Sequence, residues 1–229
     1  MAVGNGILLA SPADVVVAFA ENAPTASFWA TVAYSAARII GGFLIAAVLG
    51  TGLAWLASLN RWLDALISPP VRAIRSVPVV SFIVLVLIWA DSSWLSVTIS
   101  GLMVLPIVFA NVEEGIKRRN PGLEELAQVF AMPAGRRWLA IKLPTVLPFF
   151  IAACRAGLGL AWKAGISAEV IGLPDGSIGE RLYQAKLFLA TGDLFCWTAV
   201  IVACSFVFEK LVLRGLAAFE SSLTRGYTK

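Results

Sequence analysis

The sequence predicts an all-α, polytopic membrane protein with about five transmembrane helices. Three observations carry this. Hydrophobic residues are 59% of the 229, and charged residues only 14%, against about 25% charged in soluble domains. With a mean hydropathy of +0.84, the chain has too little polar surface for a soluble fold. Apolar runs near the ~20 residues needed to cross a bilayer alternate with short polar segments. Basic residues gather on one side of those runs. The net charge of +4 therefore suits cytoplasmic loops beside a lipid bilayer and implies no nucleic acid. The absence of histidine removes His-based metal sites and triads. Cys154, Cys196 and Cys204 all fall in apolar runs, which favours buried thiols over a disulfide framework.

The elements follow in order. Met1 to Ala10 has no basic region, so a signal peptide is not supported. Ser11-Pro12-Ala13-Asp14 caps a short amphipathic helix, Val15 to Ala20, too short to span. Thr31 to Ser58 is the first span, and Gly41-Gly42, Gly50 and Gly52 mark a close helix contact. Arg38 lies in its outer part, where its long side chain can snorkel. Asn60 to Arg75 is amphipathic, with breaks expected at Pro69-Pro70 and Pro78, and packs on the cytoplasmic side. Val77 to Ala90 is the second span, long enough when begun at Ala73. Asp91-Ser92-Ser93 is an external turn. Trp94 to Val112 is the third span, with a kink expected at Pro106. Val146 to Ile171 is the fourth. Gly172 to Gly192 is an external loop that partly re-enters, with a turn cluster at Gly172 to Gly176. Asp193 to Leu213 is the fifth, and Ala217 to Lys229 a basic tail. Residues 1–229 read as one transmembrane unit with its core at 29–215.

Orientation follows from the flanking basic residues. Arg61, Arg72, Arg75, Lys117, Arg118, Arg119, Arg136, Arg137, Lys142, Arg214, Arg225 and Lys229 share one side, against Arg181 and Lys186 on the other. The first side is cytoplasmic. The C-terminus and the 120–144 segment are then inside, and the N-terminus outside.

That segment, NPGLEELAQVFAMPAGRRWLAIKLP, is a polar interruption with helix signals. Asn120 can cap, Pro121 suits the first helical position, and Glu124 and Glu125 sit near the positive dipole end. Leu123, Leu126, Ala127 and Phe130 share one face. Pro133 should end the helix, and Ala134-Gly135 should turn the chain into a basic segment with Arg136, Arg137 and Lys142.

Glu125-Leu126-Ala127, Ala131, Ile141 and Leu143-Pro144 resemble the EAA loop of ABC-type importer permeases. There the pattern is Glu-Ala-Ala, a glycine four residues on, then Ile-x-Leu-Pro. Leu126 replaces the first Ala, and Ala131 stands at the glycine position. The resemblance runs from about Trp29 to Gly215. It implies a type I importer permease fold, usually with one more transmembrane helix before the first span. It also implies that residues 120–144, including Gly135, form a coupling helix docking on a cytosolic ATPase. The implied partners are a second permease copy as a homodimer, two ABC ATPase subunits carrying ATP and magnesium, and an extracytoplasmic solute-binding protein. The chain has no GxxxxGK[ST] motif and no cofactor of its own is expected.

Charge at membrane depth is costly and marks candidate sites. Arg155, Trp162 and Glu169 are spaced by seven and share a helix face, with Lys163 beside them. Two readings stand: a salt-bridged structural cluster, or a substrate pathway. AWKAGISAEVIGLPDGSIGERL is similar to the corresponding stretch of nitrate, sulfonate and taurine importers, where this span lines the pathway. An oxyanion or sulfonate would suit Arg155 and Lys163. Other function classes have less support. An ion-coupled secondary transporter should show internal repeats. A membrane enzyme using Asp91, Lys163, Glu169 or Asp175 should show an acid–base pairing that the spacing does not give.

Overall fold

The computed structural model describes residues 10–118 and 121–225, which are helical almost throughout. Asn120 and Arg119 lie outside the described residues, as do Met1 to Leu9 and the tail from Gly226 to Lys229. Four helical stretches are long and apolar enough to cross a membrane, or five if one bent pair counts as a span.

Helix α1 (Pro12–Asn22) starts at the predicted cap, with the Ser11 and Asp14 side chains each bonding the other's backbone N–H. The Ser11 backbone N–H, then its hydroxyl, hold the Asp14 carboxyl below its usual range. Helix α2 (Ala26–Leu59) is capped by Thr25 and runs 34 residues, about 51 Å. It packs against α5 (Leu95–Lys117) and crosses α8 (Leu143–Gly172), which also packs along α5. These three helices are the centre of the bundle. Their shared core includes Ile39, Phe43, Val104, Phe109, Leu158 and Trp162.

Glycine sets the closest approach. A Cβ on Gly42 would lie 2.1 Å from Ser100 Oγ and 2.3 Å from the Val97 carbonyl, while Gly101 faces Gly42 from the other side. Gly42→Leu is therefore expected to force α2 from α5, costing about 3 kcal/mol, the upper end of the usual overpacking range. Gly41→Leu and Gly52→Leu enter open space and should leave the melting temperature of the detergent-purified protein within a few degrees. Equal melting temperatures for all three variants would refute the close contact.

The second span departs from expectation. Helix α3 (Arg61–Ala73) continues through Pro69 and Pro70. The break falls at Val77-Pro78, where a short 3-10 turn ends and α4 (Val79–Trp89) sets off at 108° to the preceding helix. Val77 is extended, as a residue before proline prefers. Helix α4 alone has 11 residues, about 16 Å, short of the ~30 Å hydrocarbon core. Pro69 and Pro70 are tolerated inside α3 on an exposed face. Pro78 precedes a run that is apolar except for Ser81 and that turns into the bundle.

Helix α5 continues through Pro106, and the Arg75 Nη2 donates to the Pro106 carbonyl at 2.7 Å. The 120–144 segment contains α6 (Pro121–Val129), a single turn α7 (Ala134–Arg137) and a π-turn at Trp138–Lys142 leading into α8. The Gly172 to Gly192 loop holds α9 (Ile178–Leu187), and its N-cap Ser177 and first residue Ile178 are fully buried against the bundle. Helix α10 (Thr191–Arg225) joins the fifth span to the predicted tail without interruption.

Candidate coupling and translocation surfaces

Helix α6 ends earlier than Pro133 would dictate. The Met132 N–H bonds the Ala127 carbonyl at 2.8 Å, and the Ala131 N–H bonds the Gln128 carbonyl at 2.9 Å. This pair is the Schellman closure, with Ala131 at the left-handed position, φ 46°. The structure thus uses Ala131 as a glycine would be used, at about 1–2 kcal/mol for the Cβ. Pro133 instead stands before α7 as its N-cap.

The apolar face of α6 is largely unpartnered. Ala127 is buried, but Leu126 is 53% exposed, Val129 80% and Phe130 75%. Glu125 is exposed beside them. Val129 joins this patch although it lies off the stripe read from the sequence. Gly135 is exposed with open space at its Cβ, Ile141 and Leu143 are half-buried, and Pro144 is exposed. The π-turn has a local cause: Pro144 has no N–H to give the Ala140 carbonyl, so the ladder widens. Trp138 in that turn packs on Trp55 of α2, ring centroids 6.3 Å apart, tying the segment to the bundle.

Glu113 is the residue that sequence reading missed. It is buried near the end of α5 and accepts from Arg72 of α3 at 3.1 Å and from Lys117 one turn on. The i,i+4 spacing of Glu113 and Lys117 was the available signal. The contact to α3 had none. This charge cluster fixes the frame from which the 120–144 segment projects.

The membrane-depth candidates separate into two groups. Glu169 is fully buried, and no cation pairs with it among the described residues. Its carboxylate accepts from Ser35 Oγ and Ser96 Oγ, each at 2.8 Å, and from the Gly179 N–H at 3.2 Å. Ser35 Oγ in turn accepts from the Ile178 N–H at 2.9 Å. The positive end of α9 thus compensates the carboxylate in place of Arg155 or Lys163. The expected salt-bridged cluster of Arg155, Lys163 and Glu169 does not form among the described residues. The seven-residue spacing was right for one helix line, but neighbouring helices cover only its upper part.

Trp162 is buried against Phe208 of α10, centroids 6.3 Å apart, and its indole N–H has no partner among the described residues. Arg155 and Lys163 are exposed along an open stripe of α8 with Ala152, Ala156 and Ser167. Neither makes an ion pair among the described residues. Arg38 stacks over Tyr34 at 4.1 Å, one turn toward its own end of α2.

The fold and these two surfaces define a polytopic helical membrane protein with a helical loop held outside the bundle and cations on an open intramembrane face. A family model for the binding-protein-dependent transport system inner membrane component matches residues 42–225, and the chain belongs to that family. It is 32% identical over 186 residues to the putative aliphatic sulfonates transport permease protein SsuC of Escherichia coli (strain K12), covering 80% of this chain and 70% of that one. It is 27% identical over 203 residues to the taurine transport system permease protein TauC of the same organism, covering 87% and 71%. Against the bicarbonate transport system permease protein CmpB of Synechococcus elongatus the identity is 25% over 186 residues, covering 81% of this chain and 66% of that protein. A crystal structure of an amino acid ABC transporter with histidines superposes with TM-score 0.66 at 16% identity, over 90% of this chain and 97% of that one, which supports the fold. The chain is a multi-pass transport permease of the nitrate, sulfonate and taurine branch.

Proposed function

We propose that the chain forms half of the translocation pathway of an ATP-driven importer for a small anionic solute. The observation that carries this is the open stripe of α8. Two unpaired cations at membrane depth are too costly to face lipid. A second copy meeting this face would enclose them in a polar path, where Arg155 and Lys163 attract an anion. The relatives are permeases for sulfonates, taurine and bicarbonate, and a monovalent or divalent oxyanion fits the same charge. Helix α6 then faces the cytoplasm with Leu126, Val129, Phe130 and Glu125 as the docking patch for the ATPase, which carries ATP and magnesium. The solute arrives from an extracytoplasmic binding protein. ATPase closure would move the 120–144 segment as a rigid lever and switch the bundle between outward and inward openings.

Lys163→Ala tests the path. Uptake by the reconstituted complex should fall about tenfold, the effect of one charge-assisted contact, while assembly yield stays unchanged. Lys163→Arg should restore most of it. Normal uptake in Lys163→Ala at normal yield would remove this stripe from the pathway.

A further inference from the structure

On the side of the bundle served by α1, α2 and α10, two cavities meet at one residue. The upper one, about 280 Å³, is half polar: Asn22, Ser27, Arg181, Gln184 and Asp193 line it beside an apolar wall that includes Phe28, Phe188 and Trp197. The lower one, about 540 Å³, is an apolar groove that also includes Phe28. It runs between the α2 line of Val32, Ala36 and Ile40 and the α10 line from Ala199 to Leu211. Phe28 and Trp197 stack at 4.8 Å between the two. The twelve helical steps from Ala199 to Leu211 make the groove about 18 Å long, near half of the ~30 Å hydrocarbon core, the depth of one leaflet.

The polar end is charged in an unusual way. Arg181 and Asp193 line the same cavity, yet they do not bridge each other, nor does either form an ion pair with another described residue. Asp193 Oδ1 accepts from Asn22 Nδ2 at 3.0 Å, which orients the carboxylate and leaves its remaining acceptor sites open. A separated cation and anion above an apolar channel one leaflet long complement a ligand with the same plan. Such a ligand has an anionic group, a hydrogen-bonding ammonium and a long alkyl tail.

We infer that this composite cavity is a binding site for an aminophospholipid of the extracytoplasmic leaflet. Its phosphate meets Arg181, its ammonium meets Asp193, and one acyl chain lies along the groove between α2 and α10. A second permease copy is the competing occupant. The unpaired cations argue against it, because the α8 stripe of Arg155 and Lys163 is the face that needs covering. Trp162, which borders the groove, is one residue and about 100° around α8 from Lys163.

The test is native mass spectrometry of the full-length permease released from nanodiscs of phosphatidylethanolamine, phosphatidylcholine or phosphatidylglycerol. Retained phosphatidylethanolamine should exceed the other two by about tenfold, because only it offers both a phosphate and an ammonium that donates hydrogen bonds. Arg181→Gln and Asp193→Asn should each remove about that factor. Ala203→Phe, which fills the groove and leaves the headgroup cavity intact, should lower retention of all three lipids. Monodispersity and helix content check that each variant folds. Equal retention of the three lipids by the wild type would mean ordinary annular lipid and would overturn the inference. So would unchanged selectivity in both charge variants, or water-soluble phosphoethanolamine binding as tightly as the lipid. A cross-link between Cys204 residues of two copies would place a second copy in the groove and overturn it as well.

Discussion

Glu169→Ala is expected to release α9 from the bundle and to lower the stability of the purified permease by about 3 kcal/mol. The carboxylate accepts three hydrogen bonds where no water reaches it, from Ser35, Ser96 and the Gly179 N–H. Leaving a buried donor unsatisfied costs about 1–3 kcal/mol. The two serine hydroxyls can rotate toward helix carbonyls, as Ser100 Oγ already does toward the Val97 carbonyl at 3.2 Å. The Gly179 N–H has no such freedom, because a Cβ there would already lie 2.3 Å from Glu169 Cβ. The loss is therefore one fixed backbone donor, the compensation at the start of α9, and the volume of a buried side chain. Glu169→Gln keeps the volume and one acceptor oxygen and should cost about 1 kcal/mol. Gly179→Ala should mimic Glu169→Ala without touching the carboxylate, since the backbones must part. Limited proteolysis around Lys186, read with the melting temperature, separates the variants. If Glu169→Ala and Gly179→Ala both keep α9 protected, Glu169 does not hold it.

Much of this architecture was legible in the sequence, and the reasons are physical. Long apolar runs define α2, α5, α8 and α10 because bilayer thickness imposes a length that few other constraints mimic. The Ser11 cap is a local hydrogen bond and can be read locally, whereas the Thr25 cap of α2 lies ahead of the span read from Thr31. The glycine at position 42 signalled a close contact, but its neighbour at 41, chemically identical, faces open space. Which glycine touches α5 depends on helix rotation, and rotation is a tertiary property. Glu169 shows the same limit. Spacing placed it correctly on the line of Trp162 and Arg155, yet its partners come from α2, α5 and α9, at sequence separations of 134, 73 and 10 residues. A one-dimensional pattern offers the nearest opposite charge as partner, and in this bundle three neutral donors take that place. The 108° bend at Val77-Pro78 was half-visible: the proline marked the break, and only packing decided the angle. At α6 the helix itself and most of its apolar face were readable. The stop at Ala131 was marked only by its standing at the glycine position of the EAA resemblance, because an alanine itself carries no sign of a left-handed conformation.

That stop bears on the proposed coupling patch. Ala131 in the left-handed region turns the chain directly after Phe130 and leaves Leu126, Val129 and Phe130 projecting together. An apolar cluster of this kind, rimmed by Glu125, is the usual mark of an interaction surface. Phe130→Ala should weaken ATPase binding about a hundredfold. An aromatic side chain can bury about 150–250 Å²; Phe130 is already partly covered and Ala keeps the Cβ, so truncation loses roughly 120 Å² of that, which at about 25 cal/mol/Å² is roughly 3 kcal/mol, a factor of about 100. Glu125→Ala should remove one charge-assisted hydrogen bond, about 1.5–3 kcal/mol, or roughly ten- to a hundredfold. Both substitutions lie outside the bundle core, so insertion, permease yield and melting temperature should hold. Ala131→Asp should also break docking, because an unpaired charge would enter the turn beside the patch. Ala131→Gly should have the opposite character: it relieves the Cβ at φ 46°, stabilises the turn by about 1 kcal/mol, and leaves docking intact. The measurement is co-purification of the ATPase with each variant, together with substrate-stimulated hydrolysis in the reconstituted complex. If Phe130→Ala and Glu125→Ala bind and couple as the wild type does, α6 is a surface loop and the ATPase contacts the permease elsewhere. If Ala131→Gly alone impairs coupling, the turn itself transmits the motion and the exposed patch does not.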